Sequence, residues 1–169
     1  MNRKKFIQHS VLGLTAANFI PSSFYTRLED PIFSEEEITE FVFAAHSDLD
    51  KTKKIVDAKP LLLNCANQFK KGDFETAVGG ASHMGRKDIA DLLVGRGARL
   101  DIFNLTFLGY EELVKQLIKD FPQLLRAPGP HGFTLLHHAK VGKHDDFVSW
   151  IEDQGLQEDI FKDAFKTTK

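Results

Sequence analysis

Cysteine occurs once in the chain, at Cys65. A lone thiol cannot close a disulfide within one chain, and it cannot supply a Cys-rich zinc site. Aromatic residues with a polar tip are also scarce, with two tyrosines and one tryptophan against fifteen phenylalanines. Phenylalanine has no polar group to satisfy, so most of these rings are expected between packed elements. Neither sign of charge is in excess: the formal net charge is −2 and the charges are interspersed. That excludes the basic stripe with which a protein neutralises nucleic-acid phosphates. Beyond the N-terminus, no apolar run reaches the roughly 18 residues of a membrane span. A P-loop, a Gly-rich dinucleotide fingerprint and a nucleophile elbow are all missing. What is present is the composition of one folded domain, 169 residues with 42% hydrophobic and 27% charged side chains.

The first residues read as an address. Arg3, Lys4 and Lys5 precede a modestly apolar stretch from Val11 to Ile20, which ends in Pro21-Ser22-Ser23. Asn2-Arg3-Lys4-Lys5-Phe6-Ile7-Gln8 resembles the twin-arginine export motif, with Lys4 in place of the second arginine. Residues 1–23 are therefore expected to be an export signal, by the twin-arginine or the general secretory route, with the periplasm as destination. A basic tail or an uncleaved anchor is the alternative. Residues 1–23 hold three positive charges and no negative ones, so the formal charge without them moves from −2 to −5. Such a domain has little attraction to anionic lipid, and no membrane contact is expected of the mature form. Residues 24–35 read as a linker or N-terminal cap.

Helix signals then follow in quick succession. Ser34-Glu35-Glu36-Glu37 fits a capping box, and Ile38, Phe41, Val42 and Ala45 recur at helical spacing. Asp48 can cap a second helix, which Pro60 ends. Lys70-Lys71-Gly72-Asp73 is a turn signal. Helices are expected from about Thr76 to Met84, Asp88 to Gly95, Ile102 to Leu108, Tyr110 to Asp120, Thr134 to Val141 and Asp145 to Gln154. Helices of two or three turns joined by short loops cannot each bury a face alone and require stacked neighbours.

Superposing the pairs reveals a repeat. Thr134-Leu135-Leu136-His137-His138-Ala139 follows Gly132-Phe133, and Phe147, Trp150, Ile151 and Gly155 come later. Thr76-Ala77-Val78-Gly79-Gly80-Ala81, then Gly85, Ile89, Ala90, Leu93 and Gly97, make a second copy in which Gly79 stands where His137 does. Gly109, Leu113, Val114, Leu117 and Ile118 register on Gly85, Ile89, Ala90, Leu93 and Val94 with a shift of 24. The segment 36–63 is a looser unit. The hexad differs from the ankyrin signature T-P-L-H-x-A only by Leu135 for proline, and the chain resembles the ankyrin-repeat family over roughly residues 36–156. The fold implied is an all-α solenoid of stacked helix–turn–helix units with short β-hairpin loops. It has about four units, two of them degenerate, and the third lacks its hairpin. The repeat domain spans residues 36–158. Residues 159–169, with Ile160, Phe161, Ala164 and Phe165 together, are expected to form a capping helix and tail.

The resemblance assigns Thr134 and His137 to structure, capping a helix and bonding to neighbouring backbone. It also implies a continuous face for a protein partner, built by a monomer without catalysis. The positions carried over are Asp73, Glu75, His83 and Met84 in the second unit, Phe107 and Leu108 in the third, and His131, Phe133 and Val141 in the fourth. Phe107 and Leu108 either extend an apolar patch beside Met84 or fill the space of the missing hairpin. An accessory or inhibitor of an exported enzyme is a second reading, and a metal- or small-ligand-binding solenoid a weaker third. His131, His137, His138 and His144 crowd the last unit, but no two have i, i+4 spacing. No metal ligand, no cofactor and no catalytic residue is expected. Glu35–Glu37 complements a helix dipole, and Cys65 is expected to be buried.

Overall fold

The computed structural model describes residues 33–166, so the expected export signal and most of the 24–35 linker lie outside the described residues. Ser34 opens α1 (Glu35–Ala45) through a reciprocal box. Its hydroxyl accepts from the Glu37 N–H at 3.3 Å, and the Glu37 carboxylate accepts from the Ser34 N–H at 2.8 Å. Two donors that the helix cannot satisfy are thereby paired. Asp48 caps α2 (Leu49–Ala58) by accepting from the Lys51 N–H at 2.9 Å. A 3-10 turn at Pro60–Asn64 follows, because proline has no N–H to continue the helical ladder.

Strands β1 (Ala66–Lys70) and β2 (Asp73–Thr76) form an antiparallel hairpin in which Asn67 faces Glu75. Gly72, with φ of +84°, makes its turn, a backbone conformation that costs glycine little. Thr76 ends β2 and caps α3 (Ala77–His83), its hydroxyl accepting from the Gly79 N–H at 3.2 Å. The chain continues through α4 (Lys87–Gly95), α5 (Ile102–Phe107) and α6 (Glu111–Asp120). Two 3-10 turns follow, Pro122–Arg126 and Pro130–Gly132, and then α7 (Leu135–Gly142) and α8 (Asp145–Asp153). The described residues are thus mostly helical, with eight α-helices and one small hairpin.

Each helix packs on its successor as a pair: α1 on α2, α3 on α4, α5 on α6, α7 on α8. The first members also pack on one another, α1 on α3, α3 on α5 and α7, and α5 on α7. Two apolar clusters result. One gathers Phe41, Val56, Leu62, Val78, Ile89 and Leu93, and the other Phe103, Val114, Leu135, Phe147 and Ile151. No described helix is long and apolar enough to cross a membrane.

Three expectations need correction. Among the described residues there is one hairpin, not several: the loop before α7 places Phe133 in a single antiparallel bridge with Ile160 instead. For the same reason residues 159–166 form no capping helix. Their backbone is engaged with that loop, Phe161 N–H donating to the Gly132 carbonyl at 2.8 Å and Thr134 N–H to the Asp159 carbonyl at 3.1 Å. Cys65 is half-buried rather than buried, its thiol facing the Leu61 carbonyl at 3.6 Å.

Candidate functional site

The hairpin carries two carboxylates inward. Side chains alternate along a strand, so Asp73 and Glu75 on β2 are buried while Phe74 between them is exposed. Three histidines converge on them. His46 is the C-cap residue of α1, His83 the last residue of α3, and His131 lies in the 3-10 turn before α7. His83 and the packing of α1 on α3 bring the first two together. Gly80 makes room for the His46 ring, since a Cβ there would lie 2.7 Å from its Cε1.

The distances are short. The Glu75 Oε2 atom is 3.2 Å from His46 Nε2 and 3.4 Å from His131 Nε2, and Oε1 is 2.9 Å from His83 Nε2. His46 Nε2 and His83 Nε2 are 3.1 Å apart. The Asp73 carboxylate holds His131 twice, accepting from its backbone N–H at 2.9 Å and from ring Nδ1 at 3.1 Å. This clamp fixes His131 at φ 58°, a left-handed conformation uncommon outside glycine. His46 Nδ1 donates to the Val42 carbonyl at 2.8 Å.

Two buried carboxylates meet three imidazoles. Burial alone would push the Glu75 carboxyl up, but the adjacent imidazoles of His46 and His83 outweigh it and hold the group at about 2. Burial opposes a charge on His46, and contact with Glu75 outweighs that too, raising it above its usual value. No described lysine or arginine forms an ion pair with Asp73 or Glu75; their close partners are the three imidazoles. Neither oxygen of Glu75 accepts a well-aligned hydrogen bond, and His83 Nδ1 is buried without a partner. Aromatic rings surround the group: Phe43 stacks 5.7 Å from His46, Phe69 lies 4.6 Å from His131 edge-on, and Phe133 stacks 4.9 Å from His83.

The chain matches no family model and no curated protein. Its chemistry rests on this geometry.

The sequence-predicted contact residues divide here. Asp73, Glu75, His83 and His131 come together, but Asp73, Glu75 and His83 are buried, which corrects their reading as surface contacts. The strand's alternation and the close packing of α1 on α3 turn them inward. Phe107 is corrected likewise: at 3% exposure it belongs to the first apolar cluster, and Leu108 and Val141 pack partly against the same cluster. The short connection from α4 to α5 contains no strand. Phe133 and His131 are half-buried. Met84 is exposed. His46 is the residue that sequence reasoning missed. It caps α1 as Met84 caps α3 and Leu108 caps α5, so carrying the repeat register into the looser first unit would have found it.

Proposed function

We propose that the chain is an exported ankyrin-type repeat protein of four units, two of them degenerate, that binds a protein partner and catalyses nothing. The order of packing supports the repeat: each helix pair leans on the next pair in the sequence. The hexad at Thr134 supports it as well, with the threonine hydroxyl accepting from the His137 N–H at 3.3 Å and His137 Nε2 donating to the His83 carbonyl at 2.8 Å.

One observation carries the binding reading. Phe43 and Met84, at the C-terminal ends of the neighbouring helices α1 and α3, are 54% and 53% exposed. Phe43 lies 5.4 Å from Phe69 on the hairpin, so the apolar surface is continuous from helix end to strand. Aromatic and methionine side chains are the types enriched at the centres of protein interfaces. Met84 is exposed and belongs to the proposed contact surface, with Phe43 and Phe69 in place of Phe107. The partner would present apolar side chains to this ridge, ringed by polar contacts.

Photo-crosslinking residues placed at positions 43 and 84, in cells that make the protein, test this. Both are expected to yield the same discrete adduct. Position 112 on α6, where the Glu112 side chain is 93% exposed, is expected to yield none. Equal adducts from all three positions, or none from the first two, would remove the reading.

A further inference from the structure

We propose that His46, Glu75, His83 and His131 bind one divalent late first-row transition-metal ion. The four offer one donor atom each, all within 4.8 Å of one another. Bonds of about 2.0–2.1 Å in a tetrahedral zinc site separate neighbouring ligand atoms by about 3.3 Å. His46 Nε2 and His83 Nε2 are 3.1 Å apart, Glu75 Oε2 lies 3.2 Å from His46 Nε2 and 3.4 Å from His131 Nε2, and the second oxygen, Oε1, lies 2.9 Å from His83 Nε2.

The far side of two rings fits this reading. A carbonyl or carboxylate oxygen can only accept, so His46 Nδ1 and His131 Nδ1 carry the hydrogens in their bonds to Val42 and Asp73. In each neutral ring Nε2 is then bare, and both bare nitrogens face Glu75 Oε2. Metal-binding histidines are characteristically held in this way, by a carboxylate or a backbone carbonyl on the other nitrogen.

Protons alone satisfy the cluster poorly. If His46 and His83 were both imidazolium, two N–H groups would oppose each other across 3.1 Å. The Glu75 oxygens would still lack an aligned donor. With neutral imidazoles instead, the two buried carboxylates have no balancing charge, which is costly. A dication at the centre of the donors meets all three objections. Three imidazoles and a single carboxylate favour zinc, copper, nickel or cobalt over magnesium or calcium. Four protein donors leave no open position, as in structural sites. The ligands come from α1, β2, α3 and the turn before α7, so the ion would cross-link elements far apart in the chain.

The test uses the purified full chain, stripped with chelator. Zn2+ is titrated in competition with a chromogenic chelator, and Co2+ is followed by its visible absorption. One equivalent of each is expected, with the cobalt spectrum of a tetrahedral nitrogen and oxygen site. D73N, which leaves one acceptor for the two His131 donors, is expected to weaken zinc binding about 10–100-fold. E75Q and H131N, which remove direct ligands, are expected to weaken it more. Asparagine tolerates the left-handed backbone, so H131N keeps the turn and decides the matter should E75Q fail to fold. H144N, outside the cluster, is expected to bind as the parent does. The proposal is overturned if the parent binds no stoichiometric metal, or if folded H131N binds it with undiminished affinity.

Discussion

The histidines of this chain differ in what their ring nitrogens meet, and that difference sets their charge. His138 is buried, and its Nδ1 donates to the Thr134 carbonyl at 2.7 Å. Burial lowers it to about 3, with the Thr134 carbonyl opposing only in part. His137 is lowered as well, again chiefly by burial. The sign follows from which state takes up the proton. Above the unfolded value of about 6.5 both states are neutral and the full stability is present. As pH falls below it, the unfolded chain takes up a proton that the folded chain refuses. Stability then declines by up to about 1.4 kcal/mol per pH unit toward the folded value. Urea unfolding at pH 7.5, 6 and 5 should show this loss before most carboxylates titrate. In H138N, where an amide can still donate to Thr134, the slope should be shallower by close to one proton. Equal slopes in the two proteins would mean that His138 is not held neutral in the fold.

At the scale of the element, most starts and stops are written locally. Ser34, Asp48, Thr76 and Thr134 each cap the helix that follows, and such caps need only the next three residues. What sequence could not give depends on distant partners. Ile160, Phe161, Ala164 and Phe165 have helical spacing, yet the segment pairs with Gly132, Phe133 and Thr134. The metal-like cluster was hidden for the same reason, since His46, Glu75, His83 and His131 are brought together only by helix packing and by the turn at His131. The tail's role has a measurable consequence. The Thr134 hydroxyl donates to the Glu158 carbonyl at 2.6 Å, and Phe161 packs on the second apolar cluster. Deleting residues 157–169 removes these contacts and leaves the Thr134 N–H without its acceptor. A loss of about 2–4 kcal/mol is expected from two or three hydrogen bonds and one partly buried ring. Hydrogen exchange should accelerate in α7 and α8 and stay slow in α1 and α2. Uniform acceleration would show that the tail supports the whole domain equally.

Across the whole molecule, the two apolar clusters meet at α5. That helix has six residues, yet it sends Phe103 and Leu105 to the second cluster and Phe107 to the first. Asn104 ties it to α3, its amide donating to the Ser82 hydroxyl at 3.1 Å. In the proposed row of units, each held by its neighbours, cooperativity is only as strong as the interfaces between them. Phe107 lies at such an interface and is 3% exposed, so F107A should cost about 3–5 kcal/mol. The loss should fall on the coupling as well as on the total. The chain has one tryptophan, Trp150, and it packs only on the second cluster. Trp150 fluorescence therefore reports the C-terminal half, while far-UV circular dichroism reports every helix. In the parent protein the two urea transitions should coincide, as one cooperative unit requires. In F107A the dichroism transition should begin at lower urea than the fluorescence transition, because the first cluster loses a core ring and the second does not. Coincident transitions in F107A, displaced together, would show that the row folds as one block and that α5 is not its joint.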